Sequence, residues 1–197
     1  METNGLNMET HIPVEISLII ADADCSEIEC EYTSLIKPIC YDEEEFIKNS
    51  TPEALKVNGI TYQMLREQGK LPTQVRFEIE DLFVKHSIFR GEAIFICQNP
   101  SFDRAFINKL FWHENMEELK WPYHWLDLAS MYWIKFFGSC YPIPYTVSLS
   151  KDSIAHAMGL PPEEKPHRAL NGVKHLMMCY KRIRGINCFI NEPDLRP

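Results

Sequence analysis

The chain has 197 residues, 45% of them hydrophobic and 12% aromatic, which is enough to bury a core and excludes a disordered chain. Its net charge of -8 excludes a protein that coats nucleic acid through a basic face. It does not exclude one that grips a short end through bound metal ions. No apolar run reaches transmembrane length: residues 16–20 form the most apolar stretch, and it is strand-sized. The first residues lack the basic region and long apolar core of a signal peptide. Seven cysteines, at positions 25, 30, 40, 97, 140, 179 and 188, include no Cys-x-x-Cys pair. They suit reduced thiols in a cytoplasm.

In chain order, Met1-Glu2-Thr3-Asn4-Gly5-Leu6-Asn7 reads as a loop in which Gly5 permits a positive φ. Residues 14–23 read as a strand, 22–24 as a turn, and 29–36 as a second strand closing a hairpin. Pro38 ends it. Residues 42–49 suggest a short acidic helix, and Thr51-Pro52 starts another, with Thr51 as cap. Asn58-Gly59 is a turn, and Thr61 caps a helix over 62–68. An amphipathic helix starts at Pro72, with Val75, Ile79, Leu82 and Phe83 on its apolar face.

Residues 93–97 read as a short buried strand. Asn99-Pro100-Ser101-Phe102-Asp103 follows as turn and cap chemistry, with Ser101 capping a helix to about residue 112. Asp103 then sits in the first turn of a helix just past the carboxyl end of a strand, where open α/β sheets bind ligands. Residues 125–128 form a short strand or strand end, followed by a helix through Phe137 that Asp127 caps. Pro142 and Pro144 keep the next segment extended. Ser150 caps a helix over 151–158, which Gly159 stops. Pro161 to Pro166 is a rigid connector. A final amphipathic helix spans 167–184, with Leu170, Val173, Leu176, Met177 and Tyr180 as its stripe. Early strands, later helices and one isolated strand between helices give an α/β fold with a mixed sheet. Residues 1–185 form the domain, and 186–197 are a tail.

Three stretches carry a resemblance. Residues 1–6 read Met-Glu-Thr-Asn-Gly-Leu, residues 99–103 read Asn-Pro-Ser-Phe-Asp, and residues 167–172 read His-Arg-Ala-Leu-Asn-Gly. In order and spacing the chain resembles the ribonuclease-H-like 3′–5′ exonucleases of the DEDDh type. Those open with Asp-x-Glu-Thr-x-Gly-Leu, continue with Asn-x-x-Phe-Asp, and end with His-x-Ala-x-x-Asp. Residues 57–61 resemble that family's turn before its middle helix, and residues 36–38 resemble the end of its third strand.

The resemblance implies a ribonuclease-H-like mixed sheet flanked by helices. It implies two Mg²⁺ or Mn²⁺ ions, which suit converging carboxylates and stabilise the attacking and leaving oxygens of a phosphodiester. It makes Glu2 and Asp103 metal ligands and His167 the general base, so that Glu2, Asp103 and His167 are the catalytic set. Its substrate-binding positions are Thr3, Gly5, Leu6, Asn99 and Phe102. The backbone around Thr3 would meet a 3′-hydroxyl, while Leu6 and Phe102 would pack on terminal bases. The implied partner is a single-stranded DNA or RNA 3′ end. A protein partner or a homodimer is left open, and no membrane partner is expected.

Two family carboxylates are absent. The first Asp would stand two positions before Glu2, together with the central strand that carries it. The sheet is therefore expected to lack that strand, and the true start is expected upstream of Met1. The last Asp falls at Gly172, where glycine supplies no ligand and weakens a helix by about 1 kcal/mol relative to Ala. His175, Glu163 and Glu164 are the candidates to replace it. Two functions follow: a two-metal 3′–5′ exonuclease, or a catalytically impaired relative that binds nucleic-acid ends or serves as an interaction module. The tryptophans at 121, 125 and 133 are expected to pack in the fold rather than form a base-stacking platform.

Overall fold

The computed structural model describes residues 1–140 and 146–185. Three antiparallel strands come first: β1 (Glu2–Thr3), β2 (Pro13–Ala21) and β3 (Ile28–Leu35), in the order β1-β2-β3. Glu2 lies opposite Glu15, and Glu15 lies opposite Leu35. The hairpin expected from the alternating pattern is present. The opening residues, read as a loop, instead contribute the two-residue β1. Gly5 has no positive φ. A Cβ there would collide with the His11 ring at 2.3 Å, so the glycine serves close packing.

Four helices follow: α1 (Glu43–Lys48), α2 (Pro52–Asn58), α3 (Tyr62–Gln68) and α4 (Pro72–Lys85). Asp42 and Glu45 form a reciprocal capping box on α1, and Thr61 caps α3 through Met64 N. Thr51 occupies the cap position of α2 without a side-chain bond. Pro52 in the first turn brings a preset φ and no amide that needs a partner.

The second sheet has two parallel strands, β4 (Phe95–Cys97) and β5 (Trp125–Asp127). β4 is half-buried along its length, and Ile94 before it is exposed, so the expectation of a buried strand over 93–97 is corrected. α5 (Pro100–Ile107) follows β4, α6 (His113–Glu118) is a helix the sequence reading missed, and α7 (Leu128–Phe137) follows β5. α5 begins at Pro100 with Asn99 as its cap residue, not Ser101, and it ends at Ile107 rather than near 112. Asp127 does cap α7, accepting from Ala129 N and Ser130 N.

The last helices are α8 (Lys151–Ala157), capped by Ser150, and α9 (Ala169–Arg184). The expected apolar stripe of α9 is rotated from the observed one. Its buried residues are Ala169, His175, Cys179 and Ile183, because α9 packs on β2, α7 and α8 together. The expectations for Pro142, Pro144 and the 186–197 tail lie outside the described residues.

Burial on both faces of β2 explains the layering. Val14 and Ile16 enter apolar clusters under the α3 and α4 side, with Leu18 packed against the second of them. Alternation then sends Glu15 and Ser17 to the opposite face, which α9 covers. One cluster gathers Val75, Ile79, Phe83, Phe111 and Trp121 around Ile16 and Ile36. Trp121 is a core residue, with ring centroids 4.6 Å from Phe111 and 4.7 Å from Phe83. Trp125 stacks near Phe95 and Trp133 near Phe137, as expected of packing residues. The six described cysteines are free thiols. Among the described residues no helix is long and apolar enough to cross a membrane.

Phe111 is 1% exposed in this aromatic nest. Phe111→Ala is expected to cost about 3–5 kcal/mol of stability, measured by equilibrium urea denaturation; a loss below about 1 kcal/mol would contradict this account of the core.

Candidate functional site

The site is assembled by one buried carboxylate. Glu15, with its side chain 5% exposed, crosses from β2 to the start of α9. Its carboxylate accepts from Arg168 Nε at 3.1 Å and from Ala169 N at 2.8 Å. Arg168 is the residue before α9 and makes no cap bond of its own. Glu15 therefore neutralises the guanidinium and satisfies a first-turn amide together. The backbone N of His167 donates to Val57 O at 3.0 Å. The start of α9 is thus pinned to both β2 and α2.

Glu2 lies on β1 opposite Glu15. Burial chiefly raises its pKa from 4.5 to about 7. Glu15 and Glu163 raise it further, while the Met1 ammonium and Lys151 oppose them. His167 faces Glu163, with Nδ1 3.5 Å from Oε1. Glu163 is buried and also pairs with Lys151 at 2.7 Å. Glu2, His167 and Glu163 are therefore gathered at one end of α9.

Asp103 stands in the first turn of α5, as expected, with the Met1 ammonium 3.6 Å from Oδ1. Burial and Asp103 hold the neighbouring Cys97 thiol protonated, its pKa pushed well above the usual range. Asn99 is exposed, and its carbonyl accepts from the amides of Phe102 and Asp103. Phe102 is half-buried against Phe106, with ring centroids 4.8 Å apart. Thr3 is buried, and its hydroxyl donates to Gly5 O at 2.7 Å. Gly5 is buried against His11. Leu6 projects into solvent at 76% exposure.

Gly172 lies on the α9 face turned toward Glu163 and Lys151: a Cβ there would meet Glu163 Oε1 at 3.2 Å and Lys151 Nζ at 3.4 Å. Of the three replacements considered from the sequence, Glu163 reaches this space. Glu164 is exposed and accepts from Asn171. His175 is buried, its Nε2 bonded to the Pro161 carbonyl. Asp152, Glu163 and His175 offer ligand atoms within 4.8 Å of one another, but Glu163 is paired with Lys151 and Asp152 accepts from the Glu163 amide.

Sequence reasoning missed Glu15, Lys151 and Asn4. Glu15 had a signal, being a charge inside an apolar strand run. Lys151 had a weaker one: a cation in the first turn opposes the helix dipole and asks for an anionic partner. Asn4, wholly buried, joins the segment after β1 to Ile12, Asn49 and Ser50; nothing local marked it.

The sequence matches the RNase_T family model, described as Exonuclease, over residues 1–178. The chain belongs to the exonuclease family. Solved structures agree on the fold. E. coli Exonuclease I in complex with a dT13 oligonucleotide matches at TM-score 0.73 and 17% identity, over 93% of this chain and 39% of that one. Exonuclease I from Methylocaldum szegediense matches at 0.71 and 21%, again over 93% and 39%. The nuclease domain of 3′hExo, a DEDDh family member bound to rAMP, matches at 0.67 and 16%, over 91% and 84%. The chain thus spans about two fifths of the Exonuclease I structures. No curated protein matches it in sequence. This exonuclease-family chain has the expected ribonuclease-H-like α/β arrangement, with helices flanking a three-stranded antiparallel sheet and a separate parallel strand pair in place of one mixed sheet.

Arg168→Ala leaves Glu15 buried without its cation. A loss of about 2–4 kcal/mol in chemical denaturation is expected, discounted because the arginine is a third exposed. The double change Glu15→Gln with Arg168→Met should cost less.

Glu2 gives a pH signature. Between its unfolded value near 4.5 and its folded value near 7, the unfolded chain binds fewer protons at this residue. Its contribution to stability therefore falls as pH rises through that window. In metal-free buffer, Glu2→Gln should gain on the native chain from about pH 4.5 to 7 in thermal melts. A constant difference across the window would remove the raised pKa.

Proposed function

We propose that the chain is a metal-dependent exonuclease that removes nucleotides from single-stranded DNA or RNA 3′ ends. The observation that carries this reading is the gathering of Glu2, His167 and Glu163 at the start of α9, on a family fold. Glu2 and Asp103 supply the hard oxygen donors that suit Mg²⁺ or Mn²⁺, and the raised pKa of Glu2 marks a carboxyl whose ionised form lacks a full counter-charge. A divalent cation, when bound, supplies charge stabilisation to a phosphodiester under attack. E. coli Exonuclease I has been solved with single-stranded DNA in a zinc-bound form, which supports a metal-dependent reading here.

His167 is the group that takes the proton from the attacking water. Glu163 Oε1 faces its Nδ1 and leaves the other ring nitrogen to do so. The peptide around Thr3 is held by the Thr3 hydroxyl and by Asn58 Nδ2, which donates to Thr3 O at 3.1 Å. It forms a fixed backbone edge for a terminal sugar. Leu6 offers an exposed apolar contact for a terminal base, and Phe102 offers an aromatic one. A cytoplasmic setting suits the free thiols.

Gly172 favours a second reading: a catalytically impaired member that retains nucleic-acid ends or serves as an interaction module. One experiment separates the two. A 5′-labelled single-stranded oligonucleotide incubated with Mn²⁺ should give a 3′–5′ ladder, and Asp103→Asn or Glu2→Gln should slow it by on the order of a hundredfold. Retained oligonucleotide binding with no ladder would select the impaired reading.

A further inference from the structure

Gly172 is where the acidic pattern of the family breaks, and the structure shows what stands there. Lys151, the first residue of α8, reaches across to α9. Its Nζ donates to the Gly172 carbonyl at 3.0 Å and to Glu163 Oε2 at 2.7 Å. Glu163 Oε1 faces His167 at 3.5 Å. The two side chains are 17% and 4% exposed, so the pair is largely screened from water and its charges are felt strongly. A Cβ at position 172 would touch both. The space of the absent side chain holds a fixed cation and a carboxylate already neutralised by it.

That arrangement changes what the pocket can bind. An acidic residue at position 172 would draw a divalent cation to this end of the site. Here an ammonium already stands against that position and repels a second cation. The same pair acts electrostatically on Glu2, so the lysine belongs to the site rather than to a remote surface.

We propose that Lys151, clamped by Glu163 and the Gly172 carbonyl, is a resident cation that replaces one of the two metal ions, so that this chain takes a single divalent ion. The proposal rests on the metal-dependent nuclease reading and assigns the remaining ion to Glu2 and Asp103. Glu163 is the hinge of the arrangement. With Lys151 removed, its carboxylate becomes free to join Asp152 and His175, whose ligand atoms lie within 4.8 Å of it and of each other.

Manganese binding to the full chain, read by calorimetry and by electron paramagnetic resonance, tests this independently of catalysis. The native chain should bind one Mn²⁺ with an uncoupled signal. Lys151→Met should bind two, and Lys151→Met with Glu163→Gln should return to one. Lys151→Arg keeps the charge and should remain at one. Two ions on the native chain would overturn the proposal, whatever the variants do; so would one ion on Lys151→Met. Cleavage of the labelled oligonucleotide is followed in the same samples. Two native ions with a ladder would leave the nuclease reading standing and remove only the resident cation. No Mn²⁺ and no ladder would remove both.

Discussion

The structure depends on a carboxylate buried in a strand. Glu15 sits in β2, where an apolar residue would pack without penalty, and it is retained at the cost of desolvation. Its oxygens bind the Arg168 guanidinium and the Ala169 amide. This one contact fixes the first turn of the longest helix against the sheet. The remaining members of the site follow from it. His167 is the residue before Arg168, Gly172 is one turn into the helix, and Glu2 lies across the ladder from Glu15. A hydrophobic residue at position 15 would preserve the layer but leave the start of α9 without its register. The polar contact is a specificity device, placed where helix and strand have to meet in one orientation.

Much of the fold was legible in the sequence because short-range chemistry decides it. Thr61, Asp127 and Ser150 cap the helices expected of them, and the alternating pattern of residues 29–36 gives the hairpin partner of β2, observed at Ile28–Leu35. The failures have a common cause. The stripe of α9 was assigned from an isolated-helix pattern. In the fold, β2, β3, α7 and α8 all pack on that helix, so the buried face rotates to include His175 and Cys179. The apolar spacing after Ser101 continues past Ile107 and so predicts a helix to about residue 112. There Leu110 and Phe111 enter the core from a turn instead of from a helical face. Long-range packing overrode local periodicity in both places.

The site was partly legible for a different reason. Glu2, Asp103 and His167 lie in short motifs whose order is readable, and the fold puts them on β1, on the first turn of α5 and just before α9. Position 172 was readable as a loss, and Glu163 as one of several candidates to fill it. The choice among them was not readable, because it depends on direction. Glu164 points to solvent, His175 is committed to the Pro161 carbonyl, and Glu163 points inward. Lys151, at a helix start that disfavours cations, becomes intelligible only once Glu163 is seen beside it.

The charges at this end of α9 then form a consistent set. Three carboxylates approach one another: Glu2, Glu15 and Glu163. The negative charges of Glu15 and Glu163 raise the pKa of Glu2. The fold assigns Glu15 to Arg168 and Glu163 to Lys151. Glu2 is opposed by the Met1 ammonium and by Lys151, yet its burial still outweighs them and carries its pKa to about 7. The ionised form of Glu2 is therefore the least compensated charge of the three, and an added cation gains most by approaching it. The same logic bears on the glycine at position 172. A carboxylate there would contact Glu163, crowding a fourth acid into the set, whereas glycine lets Lys151 reach the helix backbone and hold Glu163 in place.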